Sequence, residues 1–255
     1  MSARTQAPDR ETRPVVQRLR LRYAKRGRMR FGSHRDFQRA LERAIRRAGL
    51  PVAYSAGFSP HPKISYAGAA PTGSASEAEY AEIGLAEPCD PDAVRKALDE
   101  ALPDGLDVLE VVPAGPTALA DRLQASVWEI ELEGVAPAEA EAAVERFLAL
   151  DEVPVERLTK SGRRRFDARQ AVLRLAVTGR QEPNEASCAI LRLVVRHEKP
   201  AVRPDDVLSG LREAAGLAPP VTPRVTRLAQ GPWNEESGAV GDPLAADRDA
   251  AVTQE

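Results

Sequence analysis

Cysteine and histidine are both scarce in this sequence of 255 residues, and their scarcity excludes several kinds of thiol and metal chemistry. The two cysteines, Cys89 and Cys188, stand far apart, so they offer neither a disulfide framework nor the neighbouring thiolates that an iron–sulfur cluster requires. The three histidines, His34, His61 and His197, show no spacing typical of a zinc site. We therefore expect no metal and no cofactor, and we interpret both cysteines as small buried side chains.

Long apolar runs are also missing. No stretch approaches the roughly 18 apolar residues that a membrane-spanning helix needs. Residues 1–13 are polar and include proline, without the apolar segment of a secretory signal. The sequence thus predicts a cytoplasmic location and no membrane partner.

Acidic residues are nearly absent from one part of the chain, although the formal net charge of the whole is only −2. Residues 13–47 hold twelve arginines and Lys25 against Asp36 and Glu42, a net charge of +11. Residues 234–255 hold six acids against Arg248, a net charge of −5. This asymmetry favours a polyanionic partner, with an acidic tail at the far end of the sequence.

The spacing of apolar residues predicts a helix over residues 33–48. Phe37, Leu41 and Ile45 recur at four-residue intervals on one face. Ser33 is a suitable N-cap with Asp36 three positions later, a shortened capping box. The opposite face of this helix is basic, with Arg35, Arg39, Arg43, Arg46 and Arg47.

The order of predicted elements indicates an α+β fold of two tandem ferredoxin-like (β-α-β-β-α-β) units, the second with one extra strand. The first unit opens with a strand over residues 15–31, with a bend at Gly27, and the second includes one strand over residues 166–177. The predicted boundaries are a disordered tail at 1–14, a basic ferredoxin-like domain at 15–118, a second ferredoxin-like domain at 119–233 and an acidic disordered tail at 234–255.

The basic strand and helix form a candidate surface for RNA phosphates, since each phosphate neutralised by a cation releases counterions. A helix N-terminus at Ser33 and His34 would add free N–H groups for an anion. The alternative is a solvated arginine-rich face. The candidate phosphate-binding residues are Arg28, Arg30, Ser33, His34, Arg35, Arg39, Arg43 and Lys63.

The segment from Tyr54 to Tyr66 is a second candidate, as a stacking or partner-binding loop. Pro60 and Pro62 flank His61 and favour an extended, exposed backbone, and aromatic rings nearby offer faces on which bases stack. The alternative is that the rings fill a small core, which we expect for Phe31 and Phe37. The candidate stacking residues are Tyr54, Phe58, His61 and Tyr66.

A third basic segment, residues 159–169, reads as a hairpin tip that leads into a strand. Its sequence is Thr-Lys-Ser-Gly-Arg-Arg-Arg-Phe-Asp-Ala-Arg. It suits a second phosphate contact, and a plain charged turn is the alternative.

Two long motifs give the chain a family resemblance. The run 31–36 (FGSHRD) through 46–51 (RRAGLP), followed by 54–65 (YSAGFSPHPKIS), resembles the radical-SAM-linked protein family, and shorter matches follow at 166–169 (FDAR) and 222–227 (TPRVTR). That family is a domain of unknown function, found alone or fused behind a radical-SAM domain and commonly encoded near an RNase E/G-type ribonuclease. The resemblance implies a radical-SAM protein as partner and a role in RNA metabolism, and it supplies no catalytic residue.

Three functions fit these features. The first, which we favour, is a non-catalytic RNA-binding partner of a radical-SAM enzyme in RNA modification or processing; with two distant cysteines the chain is not itself such an enzyme. The second is a metal-independent endoribonuclease in which His34 or His61 is the general base and Lys63 or Arg35 steadies the developing charge. The third is a structural module that docks an acidic protein.

Overall fold

The computed structural model describes residues 13–56, 58–159, 162–178 and 187–252. These residues form both helices and strands, and most of the paired strands are antiparallel, which confirms the α+β class. The chain divides into two compact units. The first comprises residues up to 73 together with 78–120 and the C-terminal residues from 244, and the second comprises 74–77 and 121–243.

The first unit holds a sheet whose strands follow the order β4-β1-β3, with β2 paired antiparallel to β3. Strands β1 and β4 are antiparallel, with Leu21 opposite Val111. The short helix α3 (Leu119–Arg122) follows β4 in the chain. The elements are β1 (Gln17–Lys25), a 3₁₀ helix (Gly27–Phe31), α1 (His34–Arg47), β2 (Ile64–Ala67), β3 (Ala75–Leu85), α2 (Pro91–Ala101), β4 (Leu106–Pro113) and α6 (Ala245–Val252).

One face of this sheet forms the core with α1 and α2. Leu19 and Leu21 alternate along β1 and point into the core, as the two-residue period of a strand requires. The predicted apolar face of α1 is buried against them, including Leu41 and Ile45. The predicted helix is confirmed within one residue at each end, with Ser33 as its N-cap.

The other face of β1 binds the C-terminal helix α6. Arg20 lies between Leu19 and Leu21 and is 2 % exposed. Its Nη1 donates to both carboxylate oxygens of Asp247 at 3.0 and 2.8 Å. The prediction of a disordered acidic tail at 234–255 therefore needs correction, because strands β11 (Trp233–Asn234) and β12 (Ala239–Val240) stand at its start and α6 follows them. The reason is an interaction between residues that are far apart in the sequence. Asp247, which the sequence analysis placed in a solvated tail, neutralises the buried Arg20.

The predicted strand over residues 15–31 is also corrected, since β1 ends at Lys25. Gly27 has a φ of +52°, a conformation that glycine adopts without steric cost, and it turns the chain into the 3₁₀ helix. The Arg26 N–H donates to the Gly105 carbonyl at 2.8 Å. The predicted tail at 1–14 falls almost wholly outside the described residues, which begin at Arg13.

The second unit has the strand order β10-β5-β9-β8, and all three pairings are antiparallel. The first residues of β3 belong to the second unit, because Ala75 and Ser76 pair in parallel with β10. The elements are β5 (Ala125–Glu133), α4 (Pro137–Leu148), β6 (Pro154–Thr159), β7 (Gly162–Asp167), β8 (Val172–Val177), β9 (Cys188–Arg196), α5 (Pro204–Ala215), β10 (Arg224–Gly231), β11 (Trp233–Asn234) and β12 (Ala239–Val240).

The predicted strand over residues 166–177 is two strands, β7 and β8. The Asp167 carboxylate accepts hydrogen bonds from the backbone N–H groups of Val153, Arg169 and Gln170 at 2.7–3.1 Å. These bonds stabilise a turn that ends β7, because a short side-chain acceptor satisfies N–H groups that a strand would otherwise pair. As a result β7 pairs with β6 in a separate hairpin.

Both cysteines are free and half-buried, Cys89 against the core of the first unit. Among the described residues, no helix has both the length and the apolar character needed to cross a membrane.

Candidate nucleic-acid interface

Several cations of the basic run before α1 are neutralised by acids within the fold. Arg18 and Arg20 both donate to Glu82, at 3.3 and 3.0 Å. Arg26 pairs with Asp107 at 2.8 Å. The arginines of β1 and its end therefore contribute less to the external positive field than the sequence predicts.

Three arginines of α1, in contrast, face solvent outside the ion pairs of the described residues. Arg35, Arg39 and Arg43 stand at i, i+4 and i+8, and we call them the α1 cation stripe. All three are exposed, and in the described part of the chain none of them forms an ion pair. Like charges at this spacing destabilise a helix by about 0.2–0.5 kcal/mol per pair. The repulsion within the stripe is offset in part by the Asp36 carboxylate, which interacts with the charge of Arg39.

The N-terminus of α1 is already capped from within the chain. The Ser33 hydroxyl accepts from the Asp36 N–H at 3.3 Å, and the Asp36 carboxylate accepts from the Ser33 N–H at 3.0 Å. These bonds to Ser33, followed by the charge of Arg39, hold the pKa of the Asp36 carboxyl below its ordinary value. The Ser33 N–H is thus engaged by the Asp36 carboxylate and the Asp36 N–H by the Ser33 hydroxyl, so these two groups already have partners where an external anion was expected. His34 and Arg35, which follow Ser33, are exposed.

Tyr66, on β2, packs against α1. Its ring meets His34 edge-on with 4.9 Å between centroids and Phe37 with 5.8 Å. The Nε2 atoms of His34 and Gln38 are 3.1 Å apart. Burial, and after it the charge of Glu42, raises the pKa of the Tyr66 hydroxyl. Gln38 and Glu42 follow His34 at four-residue intervals and were not among the predicted residues. Gln38 lies beside His34, and the charge of Glu42 acts on Tyr66, an interaction between α1 and β2 that depends on the fold.

The loop between Tyr54 and Pro62 is closed by hydrogen bonds of its own backbone. The Ser55 N–H donates to the His61 carbonyl at 2.8 Å, and the His61 N–H donates to the Ser55 hydroxyl at 3.0 Å. Tyr54 and Pro62 form an isolated antiparallel bridge. These contacts join the two ends of the loop, and Phe58, at 66 % exposure, extends into solvent.

Three further predicted residues are exposed in the same unit. Arg28 lies on the 3₁₀ helix, His61 lies in the loop and Lys63 follows it. No ring contact or hydrogen bond between side chains joins His61 or Phe58 to α1 in the described residues. Of the candidate loop residues in the described chain, Tyr66 is therefore the one whose ring contacts α1.

The 3₁₀ helix exposes an aromatic ring that the sequence assigned to the core. Phe37 is buried as expected, but Phe31 is 61 % exposed, which corrects its assignment. The Arg30 guanidinium lies 4.6 Å from the centre of the Phe31 ring, and Arg30 Nε is buried without a hydrogen-bond partner. The turn at Gly27 takes Phe31 out of the strand, and that glycine is the local signal that could have indicated it.

The third histidine has a structural role in the second unit. His197 Nδ1 lies 2.8 Å from the Leu123 carbonyl, and its Nε2 lies 3.0 Å from the Ser126 hydroxyl. Burial lowers the pKa of His197 below its ordinary value. Within the described residues, no group of three or more His, Cys, Asp or Glu side chains could hold a metal ion.

Residues 18–204 match a family model described as "uncharacterized protein conserved in bacteria" (DUF2344). No curated protein matches the chain. Among solved structures, the chain is similar to DyPB from Rhodococcus jostii RHA1 (crystal form 2), with 13% sequence identity. The match covers 88% of this chain and 95% of that one. Its TM-score is 0.20, a likeness too weak to support an argument. Because the family model covers well over half of the chain, the protein belongs to the DUF2344 family of proteins conserved in bacteria.

Proposed function

We propose that this protein is a non-catalytic RNA-binding partner of a radical-SAM enzyme, acting in RNA modification or processing in the cytoplasm. The observation that supports RNA binding best is the α1 cation stripe, a row of exposed arginines outside the ion pairs of the described residues. Guanidinium groups donate two parallel hydrogen bonds to a phosphate, which makes such a row well suited to a nucleic-acid backbone.

Exposed aromatic rings in the same unit add a second line of support. Phe58 and Phe31 are more than half exposed, and exposed rings beside cations are the usual platform for unpaired bases. A ring held by a closed loop, as Phe58 is, loses little conformational entropy when a base stacks on it. These features favour single-stranded RNA, whose bases are free to stack.

A ferredoxin-like fold for both units is part of the proposal. The strand orders β4-β1-β3-β2 and β10-β5-β9-β8 have the same pattern, with one helix after the first strand and another before the last. That arrangement is the one expected of the β-α-β-β-α-β motif, with the β6–β7 hairpin inserted in the second unit.

The radical-SAM partner rests on the sequence resemblance. With two free cysteines that lie in different units, an iron–sulfur cluster would have to come from another protein. The role assigned to this chain is to hold the RNA while the partner performs the reaction.

The stripe can be tested by the salt dependence of RNA binding. Replacing Arg39 and Arg43 by alanine should remove two phosphate contacts, so the log–log slope of affinity against salt for a single-stranded RNA should become less steep by roughly 1.4. Fluorescence anisotropy at several salt concentrations measures that slope. Both side chains are exposed, so the thermal midpoint should stay nearly constant.

A matched control separates a local contact from total charge. Lys96 on α2 and Arg146 on α4 are exposed helix cations outside the stripe, and their double alanine variant changes the net charge equally. It should keep the wild-type slope. An equal loss of slope in both double variants would contradict the assignment of this face, and salt-sensitive binding to an acidic protein but not to RNA would favour the docking alternative.

The endoribonuclease alternative is separated by a cleavage assay. We expect no cleavage of RNA by the wild type, His34→Ala or His61→Ala in the presence of EDTA. Both histidines are exposed, so neither substitution should unfold the chain. Metal-free cleavage by the wild type that disappears in either variant would reverse the ranking of the two functions.

A further inference from the structure

The second unit presents a basic hairpin that is separate from the α1 cation stripe. Strands β6 and β7 pair antiparallel, with Leu158 opposite Arg163 and Glu156 opposite Arg165. Three consecutive arginines, 163–165, occupy β7, and all are exposed. The tip, residues 160–161, lies outside the described residues.

One face of the hairpin is fixed to the body of the unit. Val155 is buried. Arg157 donates to Asp206 of α5 at 2.9 Å and to the Ala201 carbonyl at 3.0 Å. Its guanidinium also lies 4.8 Å from the centre of the Phe166 ring. These contacts hold the base of the hairpin, so its outer residues need little ordering before they bind.

The other face carries Leu158, Arg163 and Arg165 and points to solvent, because alternate residues of a strand face opposite sides. Arg164 lies opposite Arg157 on the first face and is exposed there. Leu158 is 79 % exposed. Arg163 is near Glu156 at 3.8 Å, and both are exposed, so that pair contributes little energy. Arg164 and Arg165 form no ion pair in the part of the chain that the structure describes. The β6–β7 hairpin thus carries three exposed arginines, and Glu156 is the acid that pairs weakly with one of them.

We propose that the β6–β7 hairpin is a second contact for RNA, in which Arg163, Arg164 and Arg165 bind the phosphate backbone. This inference rests on the proposed function and extends it to the second unit. Arginine rather than lysine at three successive positions suits the paired hydrogen bonds that a phosphate accepts. An anionic membrane fits less well, since Leu158 is the one large apolar side chain that the described strands of the hairpin expose, and stable attachment requires a larger apolar area.

The test measures the salt dependence of binding to fluorescent oligouridine. Arg163→Gln, Arg164→Gln and Arg165→Gln together should make the log–log slope less steep by roughly 2, from three contacts at about 0.7 each. The matched control changes three exposed helix cations elsewhere, Lys96, Arg146 and Arg212, to glutamine and should keep the wild-type slope. A double variant, Arg164→Gln with Arg165→Gln, leaves the Arg163–Glu156 pair intact and should give about two thirds of the change if the triple variant folds poorly.

The outcomes distinguish this inference from the proposed function. If the wild type binds with a steep slope that the Arg39/Arg43 variant flattens and the hairpin variants do not, the hairpin proposal alone is overturned. If the wild type shows no salt-sensitive binding, both proposals are overturned. Binding to phosphatidylcholine–phosphatidylserine vesicles that the triple variant loses, with an unchanged RNA slope, would assign the hairpin to a lipid surface and overturn the RNA contact.

Discussion

Replacing Asp247 by alanine should lower the free energy of unfolding by about 3–5 kcal/mol, since the change removes one partner of a buried ion pair. The side chains of Arg20 and Asp247 are 2 % and 0 % exposed. The Asp247 carboxylate accepts two hydrogen bonds from Arg20 and one from the Gly115 N–H at 2.9 Å. Without it, the buried guanidinium keeps Glu82 and the carbonyls of Gly115 and Thr117 as its partners among the described residues. Water cannot replace the lost charge in this buried place.

Urea denaturation measures this effect, with Glu141→Ala as the control. Glu141 is an exposed acid on α4, and its removal should change stability by less than about 0.5 kcal/mol. A cost below about 1 kcal/mol for Asp247→Ala would mean that α6 adds little to the first unit. In that case the C-terminal segment would not be needed for the stability of the first unit.

Phe58→Ala should weaken binding of single-stranded RNA by about 1–3 kcal/mol, the usual loss when a base-stacking ring is removed. The same change should leave the free energy of unfolding nearly unaltered, because Phe58 is two-thirds exposed. Phe58→Trp should retain the affinity, as it keeps a flat ring at the position. RNA titration by anisotropy and urea denaturation of the same variants measure the two quantities.

Phe37→Ala is the matched contrast within the same unit. Phe37 is buried and stacks on Tyr23 with 4.1 Å between ring centroids, so its loss should cost about 3–5 kcal/mol of stability. If Phe58→Ala behaved in this way and lost several kcal/mol of stability, the loop would belong to the core. If it changed neither quantity, Phe58 would have no part in binding RNA.

The elements that the sequence predicted best are those whose signals are local. The apolar period and cap of α1 lie within fifteen or so consecutive residues, and a helix satisfies its backbone hydrogen bonds within the same span. Helix α2 also carries local signals at its start, with Asp90 as N-cap and Pro91 in the first turn. The exposure of His61 also followed from its neighbours, since two prolines restrict the backbone around it.

Local signals failed where a distant residue decides the structure. The C-terminal acids are ordered because Asp247 forms an ion pair with Arg20, which lies more than 200 residues earlier in the chain. Neither partner is visible in the window around the other that secondary-structure patterns use. Similarly, the division between β7 and β8 depends on hydrogen bonds from the Asp167 carboxylate to backbone groups on both sides of it.

By itself, the sequence determined the α+β class, the basic helix with its apolar face and the concentration of positive charge before residue 48. Only the tertiary structure decided which of those charges remain free. Arg18, Arg20 and Arg26 are paired with acids that lie far away in the chain, while the α1 cation stripe forms no ion pair in the described residues. The physical reason is that net charge can be counted from the sequence, whereas an ion pair requires two side chains within a few ångströms of each other. Only the fold brings such side chains together.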